Sequence, residues 1–251
     1  MRKILVCLLP TLLCGALLVR TDEDPFLEKP YLQLGDRPKG SSSEALSLLW
    51  HAAPESGPWK VQLREGHEKW KDTEAPAGSL VSMPGARPHQ VYRVELTGLK
   101  PGAEFEYRVL RNDKDVFSAK AHARKSADQP YTFVAFGDCA AGTLEQRAIA
   151  YQAYHKHPDF LFIAGDIVYS RGRISEYREK FFPVYNAERP AIDGGAPLLR
   201  SVLFIAAPGN HDIADRDLDK NPDGLAYFYY WTQPLNGLGL PEMLTGVNPS
   251  V

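Results

Sequence analysis

Thiols are scarce in this sequence: of three cysteines in 251 residues, Cys7 and Cys14 sit near the N-terminus and only Cys139 lies in the body of the chain. An internal disulfide beyond the first 21 residues is therefore excluded. Cys139 follows Asp138 with no histidine close by in sequence to activate it, so it reads as a small buried apolar residue rather than a nucleophile. Charge of one sign is also lacking. The 29 Lys and Arg against 31 Asp and Glu leave a formal net charge of -2. No basic block of the kind that follows a phosphate backbone is present, which argues against nucleic acid as a partner. Long apolar runs are missing too, with one exception. Arg2 and Lys3 precede a run from Ile4 to Val19 broken only by Pro10, Thr11, Cys14 and Gly15. It falls short of the roughly 20 residues that span a bilayer and reads as the hydrophobic region of a signal peptide, residues 1–21. Cleavage near Ala16 and near Thr21 both fit. The expectation is an exported protein, periplasmic or extracellular, with no stable membrane anchor after cleavage.

What is present is ordinary for a globular chain: 44% hydrophobic and 24% charged residues exclude wholesale disorder. Residues 25–126 alternate in the manner of β-strands. Leu46, Leu48 and Trp50 form one heavy face, and Val91 to Leu96 and Phe105 to Val109 alternate around a corner at residues 97–102. Trp50, Trp59 and Tyr107 read as core aromatics rather than a carbohydrate-stacking face. The run Leu99-Lys100-Pro101-Gly102-Ala103-Glu104-Phe105-Glu106-Tyr107 resembles the corner of fibronectin type III domains, where a tyrosine hydroxyl bonds back to the loop backbone.

From residue 130 the rhythm becomes strand–helix–strand. Apolar runs at Tyr131 to Phe136, Phe160 to Ala164 and Val202 to Ala206 have buried-strand length. Helices are predicted over Thr143 to His155, with Leu144, Ala148, Tyr151 and Tyr154 on one face, and over Ser175 to about Tyr185. Each strand run ends in a block of oxygen or amide donors: Phe136-Gly137-Asp138, Gly165-Asp166-Ile167-Val168-Tyr169 and Gly209-Asn210-His211-Asp212. Parallel strands would bring all three to one sheet edge, the place where open α/β sheets bind ligands. Glycine before each donor lets the chain turn sharply there. Asp166 could bridge two cations, Asp138 and Tyr169 adding oxygens to one and Asn210 a carbonyl oxygen to the other. Two cations about 3.5–4 Å apart can hold both oxygens of a phosphoryl displacement.

These three blocks, in this order, resemble the calcineurin-like metallophosphoesterases, and the tyrosine three residues after Asp166 resembles the purple acid phosphatase branch. The resemblance implies a multidomain fold class: an all-β fibronectin type III-like sandwich at residues 25–126, followed by an incomplete α/β metallophosphoesterase domain at residues 130–251. It implies a dinuclear metal centre of iron with iron, zinc or manganese. Asp138, Asp166 and Tyr169 would hold the first metal, and Asp166 and Asn210 the second. His211 would orient the ester or protonate the leaving alcohol. The activity implied is acid phosphatase hydrolysis of a small-molecule phosphate ester by hydroxide generated at the metals.

Two departures from the family's pattern stand out. Ala140 occupies a position where the family has glycine or histidine. The histidines of two later blocks have no counterpart, because no histidine follows His211. His155 and His157, at the end of a predicted helix, read as surface residues on the opposite edge. The chain is therefore expected to be an N-terminal portion with impaired or no activity. Two alternatives stand beside that reading: a non-catalytic exported binding protein with a degenerate metal site, and a phosphodiesterase of the same superfamily. The aromatic stretch Tyr227 to Trp231 is expected to pack on structure beyond the present chain.

Overall fold

A computed structural model describes residues 24–35 and 44–232; the stretch read as a signal peptide lies outside them. Eight strands come first: β1 (Phe26–Leu34), β2 (Glu44–Ala52), β3 (Trp59–Glu65), β4 (Lys71–Asp72), β5 (Ala77–Val81), β6 (His89–Leu99), β7 (Glu104–Arg111) and β8 (Lys114–His122). The second half adds β9 (Phe133–Phe136), α1 (Leu144–Tyr154), β10 (Phe160–Ile163), α2 (Ile174–Glu176), a π-helical turn (Tyr177–Phe181), α3 (Phe182–Tyr185), the hairpin β11 (Asn186–Ala191) and β12 (Gly195–Pro197), β13 (Leu203–Ala206) and α4 (Tyr227–Tyr230). The π turn ends two residues before Pro183, whose missing N–H cannot continue an α-helical ladder.

One sheet spans both halves. Its order is β5-β6-β2-β1-β13-β10-β9, with β1 joined to β13 in parallel through Gln33 and Phe204. A second sheet, β4-β3-β7-β8, faces the β1-β2-β6 portion. Trp50, Trp59, Phe105 and Tyr107 fill the space between, together with Leu203 from the second half. The aromatics are thus core, as expected. Their burial makes truncation to alanine cost about 3–5 kcal/mol apiece.

The structure corrects several local expectations. β2 is buried on both faces: Leu46, Leu48 and Trp50 enter the sandwich core, while Leu49 and His51 face the second half. Tyr107 does not bond back to its corner; its hydroxyl donates to the carbonyl of Arg200 at 2.8 Å, linking the two halves. Helix α1 forms where predicted and starts with a Thr143 cap, but it buries Gln146, Ala150 and Ala153, leaving Leu144 66% exposed. Gln146 can go inside because both ends of its amide are satisfied. The oxygen accepts from Gly142 N at 2.8 Å and the nitrogen donates to Lys180 O at 2.7 Å. Tyr227, Tyr230 and Trp231 pack within the chain itself: Tyr227 Oη donates to Ala206 O at 2.8 Å and Trp231 Nε1 to Tyr177 Oη at 3.1 Å.

β9, β10 and β13 run parallel in register, Phe136 beside Ile163 and Ile163 beside Ala206. The three donor blocks consequently leave the sheet side by side, at the carboxyl edge.

Candidate metal centre

Loops that leave adjacent parallel strands must be tied to each other if their side chains are to meet. Backbone bonds tie the first two. Asp138 N donates to Gly165 O at 3.3 Å, Cys139 N to Asp166 O at 3.1 Å and Tyr169 N to Ala140 O at 3.2 Å. Ala140 is fully buried and serves here through its carbonyl. Asp138 and Asp166 both take left-handed backbone conformations, with φ of 52° and 50°. Aspartate tolerates this region better than most residues. The third loop closes onto the second through glycine. A methyl group on Gly209 would overlap the amide and Oδ1 of Asp166. Gly209→Ala is therefore expected to push Asp166 out of place, lowering stability by about 2 kcal/mol or more and weakening metal affinity beyond what that loss explains. Urea denaturation and metal titration on the same variant separate the two effects.

The donors converge. Tyr169 Oη hydrogen-bonds to Asp138 Oδ1 and lies 3.2 Å from Asp166 Oδ2. Hydrogen bonding to Asp138, then burial and the Asp166 carboxylate, push the Tyr169 phenol well above its ordinary range. The phenol proton thus bridges two carboxylates. A hard cation would satisfy the same three oxygens and release that proton. These residues fit a first cation by the chemistry of their donors. For a second, Asp166 and the exposed Asn210 are the residues at hand. Among the described residues no cluster of three or more His, Cys, Asp and Glu is placed to hold a metal ion.

His211 stands beside this group, its ring centroid 4.6 Å from that of Tyr169. Its backbone N–H donates to Asp166 Oδ1 at 2.9 Å, fixing that carboxylate. Nδ1 lies 2.8 Å from Ser170 O. A carbonyl only accepts, so Nδ1 carries the proton and Nε2 is left to take or give another. His155 and His157 are exposed and play no part. Cys139 is buried, with burial pushing its thiol upward, and its Sγ donates to Ile167 O at 3.3 Å. It is a packing residue, as expected.

Two supporting carboxylates had no assigned role in the sequence. Asp212 is fully buried; it accepts from Ile167 N at 3.0 Å, Val168 N at 3.2 Å and Gly209 N at 2.8 Å, pinning the second and third blocks together. Glu176 accepts from the backbone of Ser170, Arg171 and Arg173, so the loop after Tyr169 wraps around one carboxylate. Lys180 Nζ donates to the Tyr169 carbonyl and holds the same loop from the helical side. The proximity of Asp212 to the other donors was the available signal; its direction, toward backbone rather than cation, was not.

Residues 131–246 match the model of the calcineurin-like phosphoesterase family. Among solved structures, the chain is similar to the purple acid phosphatase PPD1 isolated from yellow lupin (Lupinus luteus) seeds, at a TM-score of 0.55 and 18% identity, over 72% of this chain and 35% of that one. It is also similar to PhoD, at a TM-score of 0.46 and 14% identity, over 76% of this chain and 40% of that one. The likeness to the lupin enzyme is one of fold, and the chain spans about a third of that structure's length. No curated protein matches it.

Proposed function

From the premise that the chain is a member of the metallophosphoesterase superfamily, with a calcineurin-like phosphoesterase domain at residues 131–246, we propose that it is a metal-dependent phosphoric ester hydrolase of purple acid phosphatase type. The observation that carries this reading is the convergence of Tyr169 on Asp138 and Asp166. In the proposal Asp138, Asp166 and Tyr169 bind the first cation, iron, and Asp166 and Asn210 contribute to a second, iron, zinc or manganese. Paired cations supply a nucleophile by acidifying water and draw charge from the phosphoryl oxygens. The chain's own residues do the rest. The His211 amide orients Asp166, and the His211 ring, held through Nδ1 by Ser170 O, presents Nε2 as the group that exchanges a proton with the ester's leaving oxygen. The substrate proposed is a small phosphomonoester, and the setting is outside the cytoplasm, following the N-terminal segment. Among the described residues no helix is long and apolar enough to cross a membrane. The two-domain reading, a sandwich at 25–126 ahead of the phosphoesterase domain, belongs to the same proposal.

Ferric iron tests it directly. Adding iron should raise a visible tyrosinate-to-iron charge-transfer band, and Tyr169→Phe should abolish the band while the chain stays folded. Iron bound without colour would sink the tyrosinate assignment. Hydrolysis of an aryl phosphate by the two-metal form tests the activity.

A second reading has its own observation. With only Asp166 and Asn210 proposed for the second cation, the chain is also consistent with a binding protein that holds one metal weakly and does not turn over. Metal stoichiometry decides: two tightly bound ions with turnover exclude it, one weak ion without turnover favours it.

A further inference from the structure

β1 and the segment around α3 meet over a cavity of about 500 Å³ that shares no lining residue with the metal centre. Its size is in the usual range for small-molecule sites, about 300–1,000 Å³. Phe26, Leu27, Phe182 and Pro183 give it an apolar part, and Glu28, Arg178 and Arg87 a charged one. Glu28 is only 7% exposed, and no hydrogen bond to its carboxylate is present among the described residues. The nearest cation, Arg178 Nε, is 3.7 Å from its Oε1, beyond hydrogen-bond reach. Arg178 Nε and Nη2 are themselves buried without a partner. Burial raises the Glu28 carboxyl well above the usual range, against the opposing pull of Arg178.

The other polar groups of the wall are already engaged. Lys29 pairs with Asp24 and Glu188. Asn186 donates to the carbonyls of Lys29 and Pro30 and accepts from Arg200. The groups left short of partners are therefore the Glu28 carboxylate, Nε and Nη2 of Arg178, whose guanidinium also bonds the Tyr230 hydroxyl, and the exposed Arg87 guanidinium. Buried charges in this condition are costly, and a native protein that keeps them invites a partner that completes them. A simple anion would be repelled by Glu28, and a simple cation by Arg178 and Arg87. A molecule with both charges on neighbouring atoms meets both demands.

We propose that this cavity is a second ligand site, which takes a small zwitterion of α-amino-acid type with an apolar side chain. The ammonium faces Glu28, the carboxylate faces the guanidinium groups of Arg178 and Arg87, and the side chain lies against Phe26, Leu27 and Phe182.

Calorimetry on the full chain with L-leucine, 4-methylpentanoate and isopentylamine tests this, since the last two each lack one of leucine's charges. Saturable one-to-one binding of leucine is expected, at least tenfold tighter than either analogue. Glu28→Gln and Arg178→Met should each weaken it tenfold or more. Ala187→Trp, which replaces a half-buried rim residue of the cavity and alters neither charge, should abolish binding and leave the melting temperature of the free protein in place. Equal binding of leucine and one single-charge analogue would overturn the proposal. So would the absence of saturable binding, or leucine binding that survives Ala187→Trp.

Discussion

Asp212→Ala is expected to lower the stability of the chain by about 3–5 kcal/mol, although Asp212 touches no proposed ligand atom. Its carboxylate accepts from three backbone N–H groups, those of Ile167, Val168 and Gly209. Removing it leaves two buried donors and one half-buried donor without acceptors, at about 1–3 kcal/mol for each donor that water fails to reach. The damage should also be directional. The three donors belong to the two blocks that carry Asp166, Tyr169 and Asn210, so metal affinity should fall with stability. Gly172 reinforces the same joint, since a methyl group there would overlap the backbone of Asp212. Asp212→Asn keeps the shape and one acceptor oxygen but turns an NH₂ group toward backbone donors, and should cost less than alanine. Asp219→Ala, at an exposed position in the following loop, should stay within about 0.5 kcal/mol of the parent. Urea midpoints for the three variants should rank alanine at 212 lowest, then asparagine, with the Asp219 variant at the parent value. An Asp212→Ala protein as stable as the parent would remove Asp212 from the architecture proposed here.

The residues legible in the sequence are those whose role follows from period and punctuation. Apolar runs ended by Gly-Asp or Gly-Asn announced β9, β10 and β13, and parallel pairing brought their ends together without further information. What stayed hidden depended on partners remote in sequence. Gln146 lies off the apolar face predicted for its helix, and nothing nearby in sequence shows that Gly142 and Lys180 satisfy its amide. Tyr107 was expected to bond to its own corner, yet it reaches Arg200, 93 residues away. Pairing of Gln33 with Phe204 carries one sheet across the two units that strand rhythm and resemblance had marked off. Asp212 shows the same limit at the site: a carboxylate that serves backbone amides has the same letter as one that serves a cation.

The buried histidines His51 and His89 belong to this hidden class, and they predict that the fold weakens in acid. Tyr31 Oη donates its one proton to Tyr230 O at 3.1 Å, so His51 Nε2, 2.9 Å away, must donate to Tyr31. Nδ1 of His51 is then a bare nitrogen, buried with no partner to receive a second proton's charge. His89 presents Nδ1 to the Arg87 carbonyl at 3.0 Å and receives Tyr230 Oη on Nε2 at 3.3 Å, which again specifies the neutral ring. Burial is the main force that lowers both; His51 lies well below the usual range and His89 at about 4. The unfolded chain takes up these protons near pH 6.5 while the folded chain refuses them. Stability from this source is therefore complete above about pH 6.5 and declines as pH falls toward 4, by up to about 1.4 kcal/mol per pH unit for each histidine. A loss of several kcal/mol by pH 4.5 is expected. Glu28, whose carboxyl is raised, acts in the opposite sense and blunts the slope. Urea midpoints at pH 7.5, 6.5, 5.5 and 4.5 should fall steadily in the parent. They should fall less in a His51→Gln/His89→Gln double variant, even if that variant starts lower; equal slopes would refute the assignment. The consequence reaches the proposed metal centre, because Tyr230 clasps β1 and its neighbour Tyr227 bonds Ala206, the last residue of β13 before the 209–212 block. The acid limb of a phosphatase pH profile should accordingly follow unfolding, and should shift in the double variant while the alkaline limb does not.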